Sequence, residues 1–134
     1  MKEDLTQLAK QLVKECHGFI EANNYEVLKV EEHYCELQGT ITNTSTNHLG
    51  VAHGGYIFGL ADTAAGIASM TDQRTAVTIS SNIEYYKTAK TPTLKAIATC
   101  TKSGKTISFF EVNIYDEEEK LIAKANLSYC YIEK

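Results

Sequence analysis

Apolar positions along this chain recur with two different periods. From Asp4 to Phe19, the residues Leu5, Leu8, Leu12, Val13 and Cys16 fall at helical spacing, which predicts an amphipathic first helix. Gly18 and then Asn23-Asn24 end it. From Tyr25 the period changes to two. Leu28 and Val30, then Cys35, Leu37, Gly39 and Ile41, alternate with charged or polar residues, as in half-buried strands. Thr42 to Asn47 is a polar loop. Gly54 to Met70 is apolar or small on nearly every side, so the pattern predicts a second helix buried all round. Its small residues (Gly55, Gly59, Ala61, Ala64, Ala65, Gly66, Ala68) let other backbones approach closely.

Four extended stretches follow, at Ala76 to Tyr86, Thr93 to Lys102, Thr106 to Tyr115 and Leu121 to Ile132. The last three read as a meander. Ser103-Gly104 makes a tight turn and Asp116 to Lys120 a polar hairpin loop. In the final stretch Leu121, Ala123, Ala125, Leu127, Tyr129 and Tyr131 share one face. One buried helix with five or six mostly antiparallel strands is an α+β specification, met by a sheet curled around a central helix. The 134 residues, without repeats or linker, predict one domain spanning 1–134.

Composition narrows the function classes. The net charge of −4 argues against nonspecific nucleic-acid binding. The four cysteines are widely spaced, without a CxxC pair, and read as buried thiols. The N-terminal stretch mixes acidic and basic residues, unlike a signal peptide, which predicts a cytoplasmic protein. Leu49 to Met70 is long enough to span a bilayer, but Asp62 at its centre would cost about 2.5–3.5 kcal/mol. No membrane association is therefore expected. His48 and His53 are five apart, which is not a metal-binding spacing, and no metal is expected. A serine-hydrolase elbow, GxSxG, is absent from the sequence.

The candidate chemistry lies in the central helix. A carboxylate in the middle of an apolar helix must be neutralised, paired or used. Eight residues before Asp62, Gly54 stands at the predicted helix N-terminus, where backbone N–H groups lack intrahelical partners. A free amide and a carboxylate are the parts of an acyl-transfer site. Glycine keeps that approach open to a substrate.

The run Asn47-His48-Leu49-Gly50-Val51-Ala52-His53-Gly54-Gly55, followed by Leu60-Ala61-Asp62, resembles the motif of the hotdog-fold acyl-CoA thioesterases, in particular the phenylacetate-pathway branch. The resemblance continues through Ala76-Val77-Thr78 and Asn82 to Ala89, and covers the chain from about Tyr25 onward. It implies a hotdog fold: one long central helix wrapped by a curved, mainly antiparallel sheet of five to six strands, with an extra N-terminal helix. It also implies hydrolysis of an acyl-CoA to free acid and CoA, with no cofactor beyond the CoA of the substrate. Asp62 would be the nucleophile or the general base, and the Gly54 or Gly55 amide the oxyanion donor. By the same resemblance Asn47 positions water or thioester, Thr78 supports the carboxylate, and His53 fixes the loop at the helix start or binds substrate. For Asn47 an Asx-turn is an equal reading.

Along a helix, Gly54 and Asp62 lie about 12 Å apart, too far to act on one thioester. If both are catalytic, each site combines Gly54 of one subunit with Asp62 of another, and a two-fold homodimer is the simplest solution. The resemblance implies the same sharing, in a homodimer or a tetramer of two dimers. Tyr56, Phe58 and Tyr85 are candidates to line the acyl pocket, with core packing as the alternative. Lys87 and Lys90 are candidates to hold the anionic CoA. Tyr86-Lys87 and Thr88 depart from the leucine-arginine pair and the proline common in the family. The competing reading is a noncatalytic acyl-CoA-binding sensor or carrier, which would have no need of Asp62. The sequence does not select an acyl group.

Overall fold

The computed structural model describes residues 4–15 and 18–132. Its elements are α1 (Leu5–Glu15), α2 (Phe19–Ala22), β1 (Tyr25–Glu31), β2 (Tyr34–Thr40), α3 (Gly54–Ser69), β3 (Thr75–Tyr85), β4 (Thr93–Ser103), β5 (Ile107–Tyr115) and β6 (Leu121–Ile132). The six strands form one antiparallel sheet in the order β1-β2-β4-β5-β6-β3, and α3 packs against it. This is the hotdog architecture, with α1 as the extra N-terminal helix.

Alternation on β5 explains the wrap. Ser108, Phe110, Val112 and Ile114 are buried beneath α3, while Phe109 on the opposite face is exposed. On β6, Ala123, Ala125, Leu127 and Tyr129 do the same. On β2, Cys35 and Leu37 are buried and Gly39 admits Tyr56, whose hydroxyl would lie 2.8 Å from a Cβ at that glycine. The buried Cys35 thiol is pushed up to about 12 by desolvation and by the charge of Glu36. Cys100 and Cys130 are only half-buried, and Cys16 lies outside the described residues.

Three expectations need correction. The first helix does not run to Phe19. Gly18 departs from helical geometry (φ −140°, ψ −134°), and Phe19 opens the separate short helix α2. On β1 the buried residues are Tyr25, Val27 and Val30, not Leu28. A bulge between Val27 and Lys29 shifts the register and switches which parity faces inward. Helix α3 is also not buried all round. Tyr56, Ile57, Leu60, Ala61, Ala64, Ala65, Ala68 and Ser69 are covered, while Gly55 is exposed and Phe58, Asp62 and Thr63 are half-buried. The sheet covers only one side of the helix, which leaves a stripe open to water.

The two edges of the sheet differ. At β1, Thr6 of α1 bonds both the carbonyl and the N–H of Val30, which covers that edge. At β3 no strand pairs with the outer edge among the described residues, and Val77 and Ile79 are 47% and 52% exposed. Among the described residues, no helix is long and apolar enough to cross a membrane.

Candidate active site

The segment before α3 is built to start a helix. Residues 45–53 fold back on themselves, with a bridge between Thr46 and Ala52 and a hydrogen bond from Asn47 N to Val51 O at 2.9 Å. Gly50 supplies the left-handed residue of the turn (φ 78°). Asn47 Oδ1 accepts from Leu49 N at 2.9 Å, which is an Asx-turn, and the Asn47 carbonyl accepts from Gly50 N. Asn47 is thus engaged in shaping the loop.

His53 is the N-cap of α3. Its Nδ1 accepts from Gly55 N at 2.8 Å, which places the proton of the neutral ring on Nε2. Of the two candidate oxyanion donors, the Gly55 N–H is therefore occupied by the cap. The Gly54 N–H has no acceptor among the described residues. Tyr85, at the end of β3, donates to the Gly54 carbonyl at 2.7 Å, and a Cβ on Gly54 would meet its hydroxyl at 3.3 Å.

Two turns along α3, Asp62 is half-buried against β3 and β6. Thr78 Oγ1 donates to Asp62 Oδ1 at 2.9 Å. The Tyr129 hydroxyl lies 2.8 Å from the same Oδ1 and 2.9 Å from the Asp62 carbonyl. Asp62 Oδ2 has no partner among the described residues. Tyr129 is a residue that sequence reasoning missed. Its only signal was a polar tip on the inward face of β6, among Ala125, Leu127 and Tyr131. Desolvation, followed by the charge of Asp62, pushes its phenol upward, so it remains a proton donor.

Gly54, Phe58 and Asp62 stand at i, i+4 and i+8, one face of α3. Phe58 is half-buried between the two polar groups, and Tyr85 is half-exposed beside Gly54. Of the three pocket-lining candidates, Tyr56 packs into the core. It is 5% exposed, its hydroxyl donates to the Asn23 and Thr40 carbonyls at 2.8 and 3.0 Å, and its ring packs 5.1 Å from Tyr25. Ring and hydroxyl are both committed to the core, because Gly39 opens the space for them. Lys87 and Lys90 are exposed on the segment after β3. That segment is brought beside the start of α3 by the bond from Ala52 N to Ala89 O. Among the described residues no group of three or more His, Cys, Asp or Glu side chains gathers as metal ligands would.

Comparison with known proteins identifies the family and the fold. The family model of the Thioesterase superfamily matches residues 49–123, more than half of the chain. The ComA2 protein of Bacillus subtilis is 30% identical over 122 residues, which cover 88% of this chain and 97% of its own. The acyl-coenzyme A thioesterase PaaI of Escherichia coli is 26% identical over 99 residues (73% of this chain, 71% of PaaI). Its solved structure superposes with a TM-score of 0.90 at 22% identity, covering 96% of this chain and 94% of that one, and so shares the fold. A hypothetical thioesterase protein of Streptococcus pneumoniae, solved with coenzyme A, is 29% identical, with a TM-score of 0.79 and coverage of 83% and 88%. Its structure has also been solved with an aspartate, and separately a threonine sixteen positions later, changed to alanine. The chain belongs to the thioesterase superfamily, as a hotdog-fold thioester hydrolase of the PaaI type.

Proposed function

We propose that the protein hydrolyses acyl-CoA thioesters, as a homodimer in which each active site takes residues from both subunits. The observation that carries this reading is the face of α3 beside the open edge of β3. Among the described residues it offers an unpartnered amide at Gly54 and, about 12 Å along the helix, a carboxylate with one free oxygen at Asp62. A single subunit holds these groups too far apart for one thioester. Gly54 sits against Tyr85 and Asp62 against Thr78, near opposite ends of β3. An antiparallel two-fold pairing of β3, centred between Ser81 and Asn82, sets Thr78 opposite the partner's Tyr85. Gly54 of one copy then approaches Asp62 of the other. The exposed, apolar and unpaired edge at Val77 and Ile79 is suited to that contact.

In such a site the thioester carbonyl accepts from the Gly54 N–H, which stabilises the developing oxyanion together with the positive end of α3. Asp62 Oδ2 either attacks the carbonyl carbon, to be released later by water, or takes a proton from the water that attacks. In both routes the C–S bond breaks, the electron pair goes to sulfur, and water supplies the hydroxyl of the acid and the proton of the thiol. CoA itself is suggested by the coenzyme-bound Streptococcus relative and by exposed Lys87 and Lys90 near the start of α3.

The test measures thiol release from aromatic and aliphatic acyl-CoAs by the wild type, by Asp62→Asn, by Gly54→Pro, and by the two variants co-expressed. Proline at the first helical position keeps the backbone geometry and removes the N–H. Gly54→Ala, which keeps the N–H, controls for the added side chain. Each single variant is expected to be inactive. Random mixing makes half the dimers mixed, each with one intact site, so about one quarter of wild-type activity returns. A mixture as inactive as its components would overturn the shared site. Binding of acyl-CoA by the wild type without turnover would mark a sensor or carrier instead.

A further inference from the structure

We infer that Tyr129 is a positioning residue for Asp62: with Thr78 it saturates Oδ1 and leaves Oδ2 as the oxygen that reacts. This rests on the acyl-CoA reading above. The Tyr129 hydroxyl lies 2.8 Å from Oδ1, where Thr78 already donates at 2.9 Å, so among the described residues one carboxylate oxygen faces two O–H donors and the other none. A carboxylate has two rotatable, equivalent oxygens unless its surroundings distinguish them. Here the distinction is rigid. Tyr129 is 2% exposed and its ring meets Phe110 edge-on at 5.9 Å, so the hydroxyl cannot swing away. Its distance of 2.9 Å to the Asp62 carbonyl ties it to the helix backbone as well as to the side chain.

The donors are also neutral. A lysine or arginine in the place of Tyr129 would hold the carboxylate equally firmly, but would cancel the charge a nucleophile or base needs. Two hydroxyls orient it and leave the negative charge in place. Being buried behind Asp62, Tyr129 does not reach a substrate, and its effect passes through the carboxylate.

Tyr129→Phe keeps the ring and deletes the donor. The expected result is a kcat lower by about 10- to 100-fold with KM within about twofold. A purely packing role would lower Tm and leave the kcat of the folded protein unchanged. Thr78→Val removes the other donor and should lower kcat the same way, while Thr78→Ser should restore it. Should Tyr129→Phe not fold, the Thr78 pair still decides whether saturation of Oδ1 matters. An unchanged kcat in the folded variants overturns the inference. Asp62→Asn is assayed alongside. If it retains turnover, the reading of the site itself is wrong; if it is inactive while Tyr129→Phe behaves as wild type, only the role of Tyr129 fails.

Discussion

Two aspartates at helix α3, ten residues apart, are treated in opposite ways. Asp72, in the turn after the helix, is held by a guanidinium and an imidazole. Arg74 Nε and Nη2 donate to Oδ2 at 2.9 and 2.6 Å, His33 Nε2 lies 3.0 Å from the same oxygen, and Arg74 N donates to Oδ1. Arg74 spends its other N–H groups on the Gly104 and Lys105 carbonyls and Ser103 Oγ, and its guanidinium lies 3.6 Å over the Tyr131 ring. Both oxygens of Asp72 are used, and the cluster ties the β1–β2 turn, the end of α3, the β4–β5 turn and the end of β6 together. Among the described residues Asp62 meets hydroxyls alone, and only on one oxygen. The same functional group is thus closed off at Asp72, where it ties four segments together, and left with an open oxygen at Asp62, where the proposed chemistry needs one. Counting hydrogen bonds would not separate the two; the charge of the donors and the number of free oxygens do.

The sharpest way to break the comparison is to neutralise each carboxylate in turn. Asp62→Asn should lower kcat for acyl-CoA hydrolysis by about 10³-fold or more, with a Tm at or above that of the wild type, since an active-site carboxylate is seldom placed for stability. Asp72→Asn should leave kcat within a few fold and lower Tm instead. A variant set in which Asp72→Asn loses activity as severely as Asp62→Asn would erase the distinction. The next effect concerns the open edge. Ile79→Asp puts a charge on the exposed outer edge of strand β3, and should shift the protein toward monomer in sedimentation with activity falling in parallel. A monomer with full activity would contradict the shared site.

Much of the architecture was legible because period alone separates the elements. The switch from helical spacing to alternation near Tyr25, the long apolar run at Gly54 and the three final strands each carry their own pattern. What escaped depends on tertiary context. The bulge at Leu28 inserts one residue and inverts the alternation, which no local pattern announces. The open stripe on α3 is set by how far the sheet wraps, not by the composition of the helix. In the site, Asp62 stood out as a charge in an apolar run. Tyr129 did not, because a tyrosine on the inward face of a strand looks like any core aromatic until a carboxylate is found 2.8 Å from its hydroxyl. Tyr56 shows the converse. It neighbours the Gly-Gly step in sequence, yet one helical residue's rotation turns it into the core.

The smallest effect is the most specific to Asp72. Burial alone would push its carboxyl up, but the hydrogen bonds from Arg74 and His33 outweigh this and hold it at about 2, against 3.8 for a free aspartate. Folding therefore favours the ionised form. The stabilisation is fully present above the unfolded value, near pH 4, and is lost as pH falls through the folded value near 2. Its linkage limit is about 2 kcal/mol, and the partial exposure of both partners makes about 1 kcal/mol the better expectation. In urea unfolding from pH 7 to pH 2, the stability gap between wild type and Asp72→Asn should stay level down to about pH 5 and narrow below pH 4. A gap that does not change across that range would mean that the Asp72 cluster holds the turns by packing and geometry, not by charge.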